Sequence, residues 1–241
     1  MKKKGLIIGF LVLCISSLGV FLHFSNAAEG DSWNTIFSKW GKILSDSSNE
    51  KSSEGDYIIS PYGRYGENEV SLDDVYEVGD DIIITKSEIE QNTKFYMLKG
   101  MDEKEAREMA IEFAEGLNAV YVEAIKNGYE VSDKEVEEEI ERLKNTISKS
   151  ENADDIQDMI NQFKSEEDYW QYEKEQYVRL LPNQNYWSDF QDEYMKGLDG
   201  EEFSQDAYAS YSEEAKKELV KKQHYRKITD EKDIDAKFIA K

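Results

Sequence analysis

The sequence is short of the residues that most often carry chemistry: 241 residues contain one cysteine, two histidines and two prolines. The cysteine, Cys14, lies inside an N-terminal apolar run. The rest of the chain therefore cannot form an internal disulfide or a thiolate metal site, and packing must supply its stability. Cations are also scarce, with 30 Lys and Arg against 52 Asp and Glu and a net charge of −22. Phosphate backbones are bound by clustered Lys and Arg that release counterions, and no segment here is basic over more than a few residues, which argues against nucleic acid as a partner. The densest basic stretch, Lys216 to Lys227, falls toward the end of a predicted helix, where cations complement the negative end of the dipole. His23 belongs to the apolar run, and His224 reads as an ordinary helix-end residue. No P-loop, dinucleotide glycine fingerprint, HExxH motif or EF-hand loop is present. Asp73-Asp74 and Asp80-Asp81 lack ligand spacing, and no carboxylate pair stands out from so acidic a background as an acid–base couple. The expectation is a protein without cofactor, metal or catalytic constellation.

What is present begins with Lys2, Lys3 and Lys4 followed by an apolar run from Gly5 to Phe24. A charged start feeding an apolar stretch is the pattern of an export signal. Ser25-Asn26-Ala27 places small residues where a signal peptidase acts, so cleavage falls between Ala27 and Ala28. The run is also about as long as the ~20 residues that span a bilayer, so retention as a membrane anchor fits as well. Either outcome puts residues 28–241 outside the cytoplasm. Cys14 follows Leu11-Val12-Leu13 and lacks the small residue of a lipoprotein signal.

Trp33, Ile36, Phe37, Trp40 and Leu44 recur at three or four residue steps and predict an amphipathic helix from Asp31 to Leu44. Lying on a membrane surface and packing on the main domain explain this stripe equally well. Asp46 to Asp56 has nothing apolar to bury and predicts a flexible acidic linker. Pro61, Gly63 and Gly66 break the segment that follows, and Tyr57 to Ile59 and Val70 to Glu77 read as extended or loop. Residues 28–77 thus form a lead-in to a helical domain over 78–241. That domain opens with a turn and a β-branched strand at Val78 to Ile84. Capping boxes at Thr85–Glu88 and Ser132–Glu135, a cap at Asp102 and a stop at Gly128 delimit three helices. Ile156 to Phe163 predicts a shorter helix, Ser165 caps another, and Pro182 is expected to interrupt it. Helical spacing resumes at Tyr186 and again, after Gly197 to Gly200, at Tyr208. Ile234, Ala236 and Phe238 alternate as in a terminal strand, for which pairing with Ile82 to Ile84 is expected. The fold class is mainly α, with one or two short β-strands.

A strand ending in VGDDIIITKSEIE, a long helix, then NGYEVSDKEVEEEIERLK resembles the SurA N-terminal-like domain of the SurA and PrsA foldases. Val78, Gly79, Ile84, Thr85 and Glu88 match its strand-to-helix start, and Asn127, Gly128, Val131, Ser132, Asp133, Glu135 and Val136 its next helix start. The resemblance covers roughly Val78 to Lys241. It implies a multi-helix cradle that holds unfolded or exported polypeptides as a chaperone. Many relatives carry a parvulin isomerase domain, and nothing between Leu180 and Phe203 is long enough to hold one, so no isomerase activity is expected.

The aromatic-rich stretch from Tyr169 to Tyr194 is denser than a core of this size requires. Rigid aromatics give contact area at low entropic cost. Tyr169, Trp170, Tyr186, Trp187 and Phe190 are therefore the candidate client-binding residues, with most of the stretch expected in the core. The expected function is a non-catalytic, extracytoplasmic binder of unfolded or exported polypeptides, associated with the membrane if the N-terminal segment is retained. The alternative is an assembly factor for one envelope partner.

Overall fold

The computed structural model describes residues 33–49, 57–59, 69–150, 153–199, 202–235 and 238. The export signal, the Ala27–Ala28 junction, Trp33's side chain and most of the linker lie outside the described residues. Among those described the protein is mainly helical, with seven α-helices and five strands of two to four residues. The helices are α1 (Trp33–Asn49), α2 (Lys86–Leu98), α3 (Glu103–Lys126), α4 (Asp133–Ile147), α5 (Ala153–Ile160), α6 (Glu166–Gly197) and α7 (Gln205–Lys222). The strands are β1 (Tyr57–Ile59), β2 (Glu69–Ser71), β3 (Val75–Val78), β4 (Ile83–Thr85) and β5 (Arg226–Lys227). No described helix is long and apolar enough to cross a membrane.

Two compact units interleave along the chain. The first takes residues up to 51, 87–111 and 132–178, and the second takes 52–86, 112–131 and 179–241. The segment expected as a lead-in is divided between them, α1 falling in the first unit and β1 to β3 in the second. Helices α3 and α6 each contribute to both.

In the first unit the stripe of α1 is covered. Ile36, Phe37, Trp40 and Leu44 are buried, the Trp40 ring lies 4.4 Å from that of Phe95 in α2, and Gly41 sits directly on the backbone of Met159 in α5. Packing on the domain thus accounts for these four residues. The helix also takes in the first four residues of the expected linker, Asp46 to Asn49. Ser47 donates to the Ile43 carbonyl, and each residue added to an existing helix gains a hydrogen bond without a new nucleation cost. α4 starts at a complete capping box, the Ser132 hydroxyl accepting from the Glu135 N–H while the Glu135 carboxylate accepts from the Ser132 N–H. Its buried stripe is Val136, Ile140, Leu143 and Ile147.

The second unit contains two antiparallel sheets, β1–β2 and β4–β3–β5. The hairpin between β3 and β4 closes with the Gly79 N–H donating to the Ile82 carbonyl at 2.8 Å. Gln223, buried after α7, holds that turn: its carbonyl accepts from the Asp80 N–H at 2.6 Å and its side chain from the Asp81 N–H at 3.1 Å. Gly79 is required here because a Cβ would meet the Tyr225 ring at 2.9 Å.

Two expectations are corrected in this unit. The third strand is Arg226–Lys227 and pairs with β3, not β4. Ile234 and Phe238 instead bury against Val75, Val78 and Ile83, with Phe238 in a turn whose N–H bonds to the Asp235 carbonyl. The alternation therefore recorded burial on the sheet without strand pairing. Pro182, second, does not interrupt its helix, and α6 runs through it as one element of 32 residues. A proline inside a helix removes one backbone hydrogen bond and crowds the preceding turn. Here flanking residues clamp the helix to α3: Arg179 donates to the Asn118 side chain at 3.2 Å and Asn183 to the Leu117 carbonyl at 3.1 Å. Burial pushes Arg179 down to about 9, so it stays charged at neutral pH and its hydrogen bond to Asn118 is charge-assisted.

Candidate functional site

Most described aromatic residues of the first unit are enclosed: Phe37, Trp40, Phe95, Tyr96, Phe163, Tyr169, Tyr172 and Tyr177 are buried, as are Tyr121 and Phe238 of the second unit. Tyr169 is completely enclosed and in edge contact with Phe163, which corrects its assignment to a client-binding surface. Enclosure, followed by the charge of Glu173, raises its hydroxyl pKa well above the ordinary value. Trp170 is half-buried at the same end of α6. Its indole N–H donates to Glu166 at 3.0 Å and the Lys144 ammonium lies 5.2 Å from its ring, so its polar edge and one face are already engaged.

In the second unit eight aromatic side chains form one unbroken run of ring contacts, and none of them is buried. Tyr129 meets Tyr186 edge-on at 5.9 Å, and Tyr186 and Trp187 both contact Phe190. Phe190 stacks on Tyr211 of α7 at 5.1 Å with 19° between the planes. Tyr211 leads to Tyr194 at 5.0 Å, and Tyr194 to Tyr208 and Phe203. The inner edges of Tyr186 and Trp187 pack on Ala119, Val120 and Leu219. Sequence reasoning singled out Tyr186, Trp187 and Phe190, which the structure brings together. It left out the α7 partner Tyr211, which is 47% exposed.

The helices that carry this run are thinly packed. No residue of α6 from Gln184 to Gly197 is buried, and Leu219 is the one buried residue of α7. An ordinary surface helix buries an apolar stripe of three to four residues per two turns. The end of α6 and α7 therefore form an arm whose two helices meet largely through half-exposed rings. Ring pairs of this kind contribute about 0.5–1.5 kcal/mol each beyond area burial. Two shallow cavities of about 400 Å³ and 430 Å³ open beside the Phe190–Tyr211 stack.

A second feature, invisible in the sequence, is a pair of carboxyl groups in the same unit. Glu77 of β3 is buried and hydrogen-bonds through its side chain with Glu115 of α3. Burial raises the Glu77 pKa, against the lowering effects of the Glu115 hydrogen bond and Lys227. Burial, then the charge and hydrogen bond of Glu77, then the charge of Glu112 push Glu115 up to about 7, with Lys227 opposing. Two such groups share a proton because both cannot ionise cheaply at this range. Around the pair, Tyr225 donates to the Glu115 backbone carbonyl, and Lys227 stands opposite Glu77 in the β3–β5 register. Asp80 and Asp81, which lack ligand spacing in the sequence, are engaged by the His224 imidazole and the Lys126 ammonium at 2.7 and 2.6 Å. No group of three or more His, Cys, Asp or Glu residues among the described residues is arranged to hold a metal ion.

No family model, no curated protein and no solved structure matches the chain.

Proposed function

We propose that this protein is an extracytoplasmic, chaperone-like binder that holds unfolded or exported polypeptides without covalent chemistry, using the aromatic arm as its contact surface. The observation that carries this reading is the run itself: eight aromatics of the second unit remain accessible in one continuous series of ring contacts, whereas eight of the first unit, with Tyr121 and Phe238 of the second, are enclosed. Apolar surface left open in a connected patch marks an interaction site. Tyr, Trp and Phe supply contact area with few rotatable bonds to immobilise. The motifs around Val78–Glu88 and Asn127–Val136 support a SurA N-terminal-like domain by resemblance, and Lys2 to Phe24 supports an extracytoplasmic location. No isomerase or other catalytic role is proposed.

The test is aggregation of a chemically unfolded protein with and without the full chain, repeated with Phe190→Ala and Tyr211→Ala together. Suppression by the parent protein, lost in the double variant while helical circular dichroism is unchanged, supports the reading. No suppression by the parent protein overturns it, and affinity confined to one envelope protein would move the reading to a dedicated assembly factor.

A further inference from the structure

The arm carries two cavities, and the charges around the first of them are not balanced. The first is lined by Phe190, Glu193, Tyr194, Gly197, Leu198 and Tyr211, so Glu193 is its one charged residue. No cation pairs with Glu193 among the described residues. The second cavity shares Phe190 and Tyr211 and adds Glu214, Glu218, Lys217 and Lys221. Its two carboxylates and two ammonium groups offset one another, with Lys221 2.5 Å from Glu218. The first cavity thus offers an aromatic wall and one carboxylate lacking a counter-ion.

This combination favours one kind of side chain. An ammonium or guanidinium group is attracted to the negative face of an aromatic ring and forms charge-assisted hydrogen bonds with a carboxylate. The alkyl stem of Lys or Arg meanwhile covers apolar wall. A neutral apolar side chain would gain the wall but desolvate the carboxylate without replacing its hydrogen bonds. An acidic side chain would be repelled.

We propose that the arm selects polypeptide segments bearing a basic residue, which enters the Glu193 cavity beside the Phe190–Tyr211 stack. This rests on the polypeptide-holding reading and narrows it to cationic segments. The experiment uses the full chain and three fluorescent peptides that differ at one position, carrying Lys, Gln or Glu there. Anisotropy should show the Lys peptide binding at least ten-fold tighter than the Gln peptide, with the Glu peptide weakest. Glu193→Gln should remove that advantage, so that the Lys and Gln peptides bind alike. As a control for the net charge, Glu167→Gln, exposed on the first unit, should leave the preference intact. Equal binding of the Lys and Gln peptides, both weakened by Phe190→Ala, would overturn cation selection while leaving polypeptide holding in place. Equal loss in the control would likewise overturn it, assigning the preference to bulk charge. Absence of binding by all three peptides would overturn both proposals.

Discussion

Glu115→Gln should change how the stability of the second unit depends on pH. Glu115 keeps its proton to about 7 against an ordinary value of 4.5, because burial and the neighbouring Glu77 disfavour its charge. Between those values the folded state binds a proton that the unfolded state has released, so stability falls as pH rises. The contribution is complete below about 4.5, where both states are protonated, and is lost above about 7. About 2.5 pH units at about 1.36 kcal/mol each set a ceiling of about 3 kcal/mol. Glu115 is only partly buried, and solvent screening reduces the expected effect to about 1–2 kcal/mol. The substituted amide cannot titrate but can still donate to the Glu77 carboxylate, so the variant should gain on the parent protein as pH rises. Urea unfolding at pH 5, 6, 7 and 8, followed by Trp187 emission in parent and variant chains whose other three tryptophans are replaced by phenylalanine, measures this difference. General repulsion in so acidic a chain acts on both proteins and cancels in the comparison. Parallel pH profiles for the two proteins would refute the shared-proton account.

Three further outcomes follow from the packing. Gly41→Ala should destabilise the first unit by about 1–3 kcal/mol, although alanine is the better helix former, because its Cβ would lie 2.5 Å from the Met159 carbonyl oxygen; a rise in the thermal midpoint would contradict the seating of α1 on α5. Ser132→Ala should cost about 1 kcal/mol in urea unfolding by removing the cap of α4, and a change within error would show the box to be energetically idle. Asn183→Ala should destabilise the clamp around Pro182 by about 1 kcal/mol or more, since it removes the bond to the Leu117 carbonyl; unchanged stability would mean that α6 tolerates its proline without that anchor.

The parts of the fold that the sequence announced are those whose causes are local. Ser132 and Glu135 satisfy each other across three residues, Asp102 accepts from the Glu105 N–H, and Gly128 takes the positive φ of a helix stop. Each can be read from neighbours in the chain. Elements decided by distant partners were not readable in this way. Pro182 looked like a break because Leu117 and Asn118, which hold the helix on either side of it, lie more than sixty residues away. Ile234 and Phe238 showed the alternation of a strand, but the free edge of β3 was taken by Arg226–Lys227, which carries no apolar pattern. The candidate site follows the same division. Aromatic density between Tyr169 and Tyr194 was visible, whereas spacing alone could not separate the enclosed Tyr169 from the half-exposed Tyr186 on the same helix. Tyr211 and Glu115 became part of the picture only through partners contributed by other elements.

The most direct test of polypeptide holding by the arm is site-specific photocrosslinking to a chemically unfolded protein. Benzoylphenylalanine would replace Tyr211 in one version of the full chain and Met97 in another, two positions exposed to 47% and 44% in different units. The account predicts adducts from position 211 that disappear when Phe190→Ala is added, with none from position 97. Adducts of equal yield at both positions, or none at 211, would contradict it.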